Sequence, residues 1–216
     1  MDTTVSTVGV LDKAVAVLAA LEDGPLSLPG LMAATRLPRA TAHRLAVALE
    51  AHGLVRRDDE GRFALGLRLV GLGRAASEAL PIAAVATPAL ERLRDETGES
   101  AQLYVREADR RVCVLSLESP HGLRTIVPVG AALPLGVGSA GRILDGGDVG
   151  RRGWVESVEE REAGVASVSA PVRGPGGRVV AAVGVSGPVN RTTRQPGRRY
   201  GDAVVAAARE VERALG

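Results

Sequence analysis

Between Pro38 and Gly53 the sequence reads PRATAHRLAVALEAHG, and its residues separate onto two faces at helical spacing. Ala42, Leu45, Ala46 and Leu49 make an apolar stripe, whereas Arg39, Ala40, His43, Arg44 and Val47 fall opposite it, with Thr41 near the start. The polar face has a definite chemistry. A guanidinium is a planar fork that can donate to O6 and N7 of guanine at once, and Thr or His can reach base edges or phosphates. A residue as small as Ala40 lets the helix backbone sink toward a groove. A few residues on, Arg56, Arg57 and Arg62 suit contacts to phosphates, which position a module without reading sequence. The expected partner is a double-stranded DNA operator.

Charge alone would not nominate that partner. Residues 1–79 carry nine basic and nine acidic side chains, and 36–68 carry seven Arg against four acids, a local patch of the kind that a solvated helix face also shows. The order of the elements is what separates the two readings. Val8, Leu11, Val15, Leu18 and Leu21 recur at helical spacing and Asp23-Gly24-Pro25 stops them. Ser27 is an N-cap for a helix from Leu28 to Thr35, and Arg36-Leu37 forms a tight turn. Pro38 opens the next helix as a first-turn proline, which runs to His52 with Gly53 as its C-cap. Leu54–Arg57 and Arg62–Leu65 flank the polar turn Asp58-Asp59-Glu60-Gly61 and read as a hairpin. Three short helices and a hairpin are a winged helix-turn-helix.

Leu67 to Ala79 returns to helical spacing, ended by Pro81, and reads as a linker helix; Pro88 to Thr97 is helical and stops at Gly98. Gln102–Arg106, Val112–Leu117, Leu123–Val129, Ala166–Arg173 and Val179–Ser186 are strand candidates, with turns at Asp109-Arg110 and at Gly174–Gly177, and a last helix spans Asp202 to Leu215. The expected fold class is α+β: a winged domain over 1–66, a linker helix over 67–80 and a ligand-binding domain over 81–216.

Other chemistries are weaker. Gly136-Val137-Gly138-Ser139-Ala140-Gly141 fits the dinucleotide pattern G-x-G-x-x-G, yet Gly130 and Pro134 break the strand that should lead into it and Gly146-Gly147 cut short the helix after it. A nucleophile elbow fails because Val137 stands where its first Gly belongs. His43 and His52 are nine residues apart with no Cys or acid to join them in a metal site. Cys113 lies in an apolar strand and reads as a buried thiol. Glu159 and Glu160 are adjacent and cannot face each other across a substrate. No catalytic constellation, metal site or cofactor is expected. A single cysteine rules out an internal disulfide, no signal peptide is read at Met1–Thr7, and no apolar run approaches the ~20 residues of a membrane helix. A cytoplasmic protein is expected.

The stretch LPRATAHRLAVALEAHGLVRRDDEGRFALGLRLVGLG resembles the recognition helix, wing and linker start of the IclR family of bacterial transcription regulators, and GVASVSAPVRGPGGRVVAAVGVSGP resembles that family's carboxy-terminal signature. The resemblance implies a GAF-like effector-binding domain and a homo-oligomer, dimer or tetramer. The runs GVLDKA and RRGWVESVEEREAGVASVSAPVRGP look most like an actinobacterial subgroup associated with amino-acid metabolism, including leucine biosynthesis.

By the same resemblance LPLGVGSAGRIL corresponds to a stretch lining the effector pocket, which places Leu133, Ser139 and Ala140 there, with backbone N–H groups able to hold a carboxylate. Further pocket positions fall on Ser157, Val165, Ser167, Gly184 and Ser186, although Ser167 and Ser186 also read as ordinary strand residues. Some members carry an acid where Ser157 stands and a hydroxyl where Gly184 stands, so a small, less polar pocket is expected, for an amino acid or carboxylate. Between Leu144 and Arg151 the family has a longer, commonly helical segment; here the domain is either shortened or lacks a mobile stretch, and Trp154 is expected to pack on the core beside it. The competing reading is a small-molecule-binding protein or enzyme with a helical accessory domain, which a mobility-shift assay on duplex DNA separates from a regulator.

Overall fold

The computed structural model describes residues 8–78 and 80–216, and the chain divides into two compact units, 1–79 and 80–216. In the first, α1 (Gly9–Ala20), α2 (Leu28–Thr35) and α3 (Arg39–Ala51) precede a hairpin of β1 (Val55–Arg57) and β2 (Phe63–Leu65) and a helix α4 (Arg68–Glu78). Ser27 caps α2 by accepting from the Gly30 N–H at 3.3 Å. Arg36 ends α2 at a left-handed φ of 56°, and Pro38 is the cap residue of α3, one position before the first turn that the sequence suggested for it. Val17, Leu21, Leu31, Ala46, Leu49, Val55 and Phe63 form the core. Leu26 and Phe63 exchange backbone hydrogen bonds at 2.8 Å, which ties the entry of α2 to the wing.

The α1 spacing is helical, but its burial differs from a simple stripe. Val17 and Leu21 are buried, whereas Val8, Val10, Leu11 and Val15 are exposed. Leu67, Val70 and Leu72 at and along α4 are exposed as well.

The second unit contains α5 (Pro81–Thr97), β3 (Ser100–Glu107), β4 (Arg110–Leu117), β5 (Ala132–Pro134), α6 (Gly138–Leu144), β6 (Val155–Val158), β7 (Val165–Arg173), β8 (Val179–Pro188), the short α7 (Val189–Thr192) and α8 (Pro196–Ala214). The strands form one antiparallel sheet in the order β5-β4-β3-β8-β7-β6. Strand alternation sorts its two faces. Ala101, Leu103, Val168, Ala170, Val172, Val183 and Val185 pack with Leu90, Leu93, Val204 and Val211 of α5 and α8. Tyr104, Cys113 and Ala182 face the other way, toward Ala140, Ile143 and Leu144 of α6 and toward Val127.

Several expected elements change. Leu123–Val129 is not a strand: Ser100 Oγ donates to the Thr125 carbonyl at 2.7 Å, so a side chain serves this backbone where a ladder would, and Pro128 interrupts the run. The short strands β5 and β6 form the two edges of the sheet. Pro81 opens α5 as a first-turn proline, and Pro88 lies inside that helix. The turn before β4 is Ala108-Asp109, with Ala108 at a φ of 51°. The last helix begins six residues earlier than its apolar spacing suggests, at Pro196. Trp154 packs against α8, where a side chain at Gly197 or Gly201 would overlap the indole. From Leu144 the chain reaches β6 through a turn, with Gly147 N–H donating to the Arg142 carbonyl at 2.8 Å and no helix between.

Candidate functional site

In the first unit, α3 is held by Ala42, Ala46 and Leu49, with Leu45 half-buried. Arg39, Ala40, His43 and Arg44 are exposed on its other side and Thr41 is half-buried. Arg39, His43 and Val47 follow one another at four-residue steps, as do Ala40 and Arg44, so they form adjoining ridges. Neither Arg39 nor Arg44 has a hydrogen-bond or ion-pair partner among the described residues. An Arg without an internal partner keeps its whole fork for an external acceptor.

The three wing arginines differ. Arg56 is exposed and has no partner among the described residues. Arg57 lies 3.8 Å over the Phe63 ring, donates to the Gly61 carbonyl at 2.9 Å and sits 3.5 Å from Glu50. Arg62 is half-buried, bonds Asp58 through Nε at 2.8 Å and pairs with Glu60 at 3.2 Å. Asp58 also accepts from the Arg62 and Glu60 N–H groups. Desolvation pulls its carboxyl upward, but these bonds outweigh it and leave the group below its ordinary range. Arg62 therefore closes the turn at the wing tip, whereas Arg56 stays exposed and without a partner among the described residues.

In the second unit, a cavity of about 40 Å³ opens between α6 and the sheet. Six of the expected positions line it: Ser139, Ala140, Ser157, Val165, Ser167 and Ser186. Leu133 lies instead against the core around Tyr104 and Cys113, because its strand β5 pairs at the sheet edge. Gly184 sits behind the lining, and its missing side chain gives Ser169 room; a Cβ there would overlap the Ser169 hydroxyl. Ser139 Oγ lies 2.8 Å from both Ser167 Oγ and Ser169 Oγ, so three hydroxyls form one network.

Sequence reasoning missed Gln102, Tyr104 and Arg111, which also line the cavity. Alternation could have found the first two, since Gln102 and Tyr104 share a face of β3; Arg111 shares a face of β4 with Cys113 but lies before the strand read from Val112. Arg111 is buried; its Nη1 donates to the Pro134 carbonyl at 2.7 Å and to the Val137 carbonyl. A side chain at Gly141 would overlap its guanidinium, so this glycine of the G-x-G-x-x-G run makes room for an arginine. The run follows an antiparallel edge strand, not the parallel βαβ unit that a dinucleotide site requires.

Burial pushes the Cys113 thiol up to about 12, against a weaker opposing pull from the Leu115 backbone. The folded protein is therefore expected to leave an aromatic disulfide reagent unreacted at neutral pH and to consume one equivalent on unfolding; rapid reaction of the native protein would show the thiol to be exposed. Because the folded thiol ionises later than the unfolded one, this contribution to stability is present below about pH 9 and is lost as pH rises toward 12.

Comparison with known proteins agrees with both halves. Residues 10–59 match the IclR helix-turn-helix domain, and 74–145 with 148–213 match the carboxy-terminal domain of the bacterial transcriptional regulator IclR. The chain is 30% identical over 243 aligned positions to the glycerol operon regulatory protein of Streptomyces griseus, covering 95% of this chain and 96% of that one. It is 30% identical over 119 residues to the HTH-type transcriptional regulator KipR of Bacillus subtilis, over 55% of this chain and 48% of that protein. An IclR homologue from Microbacterium hydrocarbonoxydans, solved with 4-hydroxybenzoate, superimposes with a TM-score of 0.80 at 23% identity, over 95% of this chain and 98% of that one. With family matches across both units and a full-length relative, the chain belongs to the IclR family of bacterial transcriptional regulators.

Proposed function

We propose that this regulator lays α3 in the major groove of a palindromic operator, with Arg39, Ala40, Thr41, His43 and Arg44 at base edges and nearby phosphates and Arg56 on the backbone beside the groove. The observation that carries this reading is the exposed, unpartnered pair Arg39 and Arg44 on a helix whose opposite face is locked into the core. Residues 1–66 act as the DNA-binding domain, 67–80 as the linker and 81–216 as the effector domain. The cavity at α6 takes a small carboxylate or amino acid, and its occupancy shifts operator affinity in the cytoplasm, at genes of amino-acid metabolism. The likeness of RRGWVESVEEREAGVASVSAPVRGP to the actinobacterial subgroup supports that last point.

Such control requires unequal affinity of the acid for two arrangements of the protein, typically a coupling of ~1–3 kcal/mol. Operator affinity measured with and without a panel of small acids tests it. Changes of about five-fold or more support sensing, and identical affinities throughout reject it.

A palindromic operator calls for a symmetric protein. The exposed Val10, Leu11 and Val15 of α1, with Val70 and Leu72 of α4, supply apolar area for a second copy of the chain. Val15→Glu and Val70→Glu together are expected to give a monomer by sedimentation and to weaken operator binding. A variant that sediments like the wild type would place the contact elsewhere.

A further inference from the structure

The effector cavity holds a buried charge that no acidic side chain answers. Arg111 is 4% exposed, and among the described residues no Asp or Glu carboxylate lies within the 4.0 Å of an ion pair. Its two bonds both leave from Nη1 and both end on neutral carbonyls, while Nε has no partner. Burial makes the guanidinium hold its proton less firmly than usual; Tyr104, whose ring centroid is 5.4 Å away, opposes this, and Arg161 adds repulsion. Gln102, 2% exposed, accepts from the Ser186 hydroxyl through Oε1 at 3.1 Å and leaves its amide Nε2 without a partner. Two donors, each more than nine-tenths buried, are thus unsatisfied at the wall of one cavity. Buried donors of this kind are costly unless something accepts from them.

The remaining charges leave the sign unchanged. Arg161 and Glu162 also line the cavity and pair with each other at 3.4 Å. Glu160 accepts from the Gly138 N–H at 3.0 Å and lies 3.5 Å from Arg142. The wall carries one positive charge in excess, on Arg111.

We propose that Arg111 is the charge-selecting residue of this cavity, taking a compact monocarboxylate on the Nε edge of its guanidinium, with the Gln102 amide as a second donor. The proposal rests on reading the cavity as the effector site and narrows its ligand. A carboxylate pairs edge-on with a guanidinium through two parallel hydrogen bonds and neutralises the excess charge. The volume of about 40 Å³ admits a short carbon skeleton. An ammonium group beside the acid would face two guanidiniums and only one carboxylate, which Arg161 already engages, so acids lacking that group are preferred to amino acids.

The test uses the full-length protein and the smallest probes. Thermal midpoints are measured in sodium acetate, in sodium chloride of equal ionic strength, with acetamide added to the chloride, and with glycine. Acetate is expected to raise the wild-type midpoint by about 2–4 °C over chloride, acetamide to leave it in place, and glycine to give less than half of the acetate rise. Arg111→Met is expected to lose the acetate rise and Gln102→Leu to reduce it. If Arg111→Met does not fold, the comparison of acetate with acetamide on the wild type decides alone. Equal midpoints in acetate, acetamide and chloride overturn the proposal, as does an undiminished rise in Arg111→Met. The same samples are assayed for operator binding without acid. An absent acetate response with operator binding intact removes only the role of Arg111, whereas absent operator binding in the wild type removes the regulator reading.

Discussion

Replacing Arg39 and Arg44 together by alanine is expected to weaken operator binding by roughly 2–6 kcal/mol, about thirty-fold or more, while the thermal midpoint stays within about 2 °C of wild type. The two halves of this expectation have one cause. Neither guanidinium bonds anything among the described residues, so its removal is expected to cost the fold little, and alanine is the better helix former. Each can grip guanine with two hydrogen bonds, so its removal leaves a base edge without its donors. Titrations against specific and scrambled duplexes separate this loss from a general one. Arg56→Ala, by contrast, is expected to weaken both duplexes alike and to lower the salt slope by about one. Unchanged affinity in the double variant would mean that another surface reads the DNA.

The largest stability effect is expected far from either site. Glu99 is fully buried between α5 and β3, and Arg191 of α7 holds it through two bonds, one of them 2.7 Å from Nη2. Arg191 also donates to the Leu123 carbonyl at 3.0 Å and so anchors the irregular 121–130 segment. A side chain at Gly187 would overlap the Glu99 carboxylate, so the space around this acid is tight. Arg191→Ala strands the acid, and a loss of ~3–5 kcal/mol is expected from the urea midpoint. Arg191→Met with Glu99→Leu is expected to recover much of that loss, because no charge is then left buried. A deficit under about 1 kcal/mol in Arg191→Ala would mean that water reaches the carboxylate.

The sequence was most legible where local chemistry and tertiary packing agree. Ser27, Pro38 and Gly53 punctuate α2 and α3, and the apolar repeat between them leaves the cationic face no place but the surface. It was least legible where tertiary partners decide. The β-branched run Leu123–Val129 has strand composition, yet Ser100 and Arg191 take its carbonyls through side chains. Strands β5 and β6 are three and four residues long, too short for alternation to register. Pro196-Gly197 has the composition of a helix breaker but opens α8, since the proline suits a first turn and the glycine yields space to Trp154. Within the cavity, Ser139, Ser157, Ser167 and Ser186 were named through the family resemblance. Arg111 was not, because an arginine in a strand reads as solvated until α6 closes over it.

Trp154 has one more consequence. It is the chain's single tryptophan, and both tyrosines, Tyr104 and Tyr200, lie in the same half of the molecule; the winged half has only Phe63. Tryptophan fluorescence therefore reports melting of the effector domain and is blind to the domain that meets DNA. A sample can look fully native in a fluorimeter after its winged half has come apart.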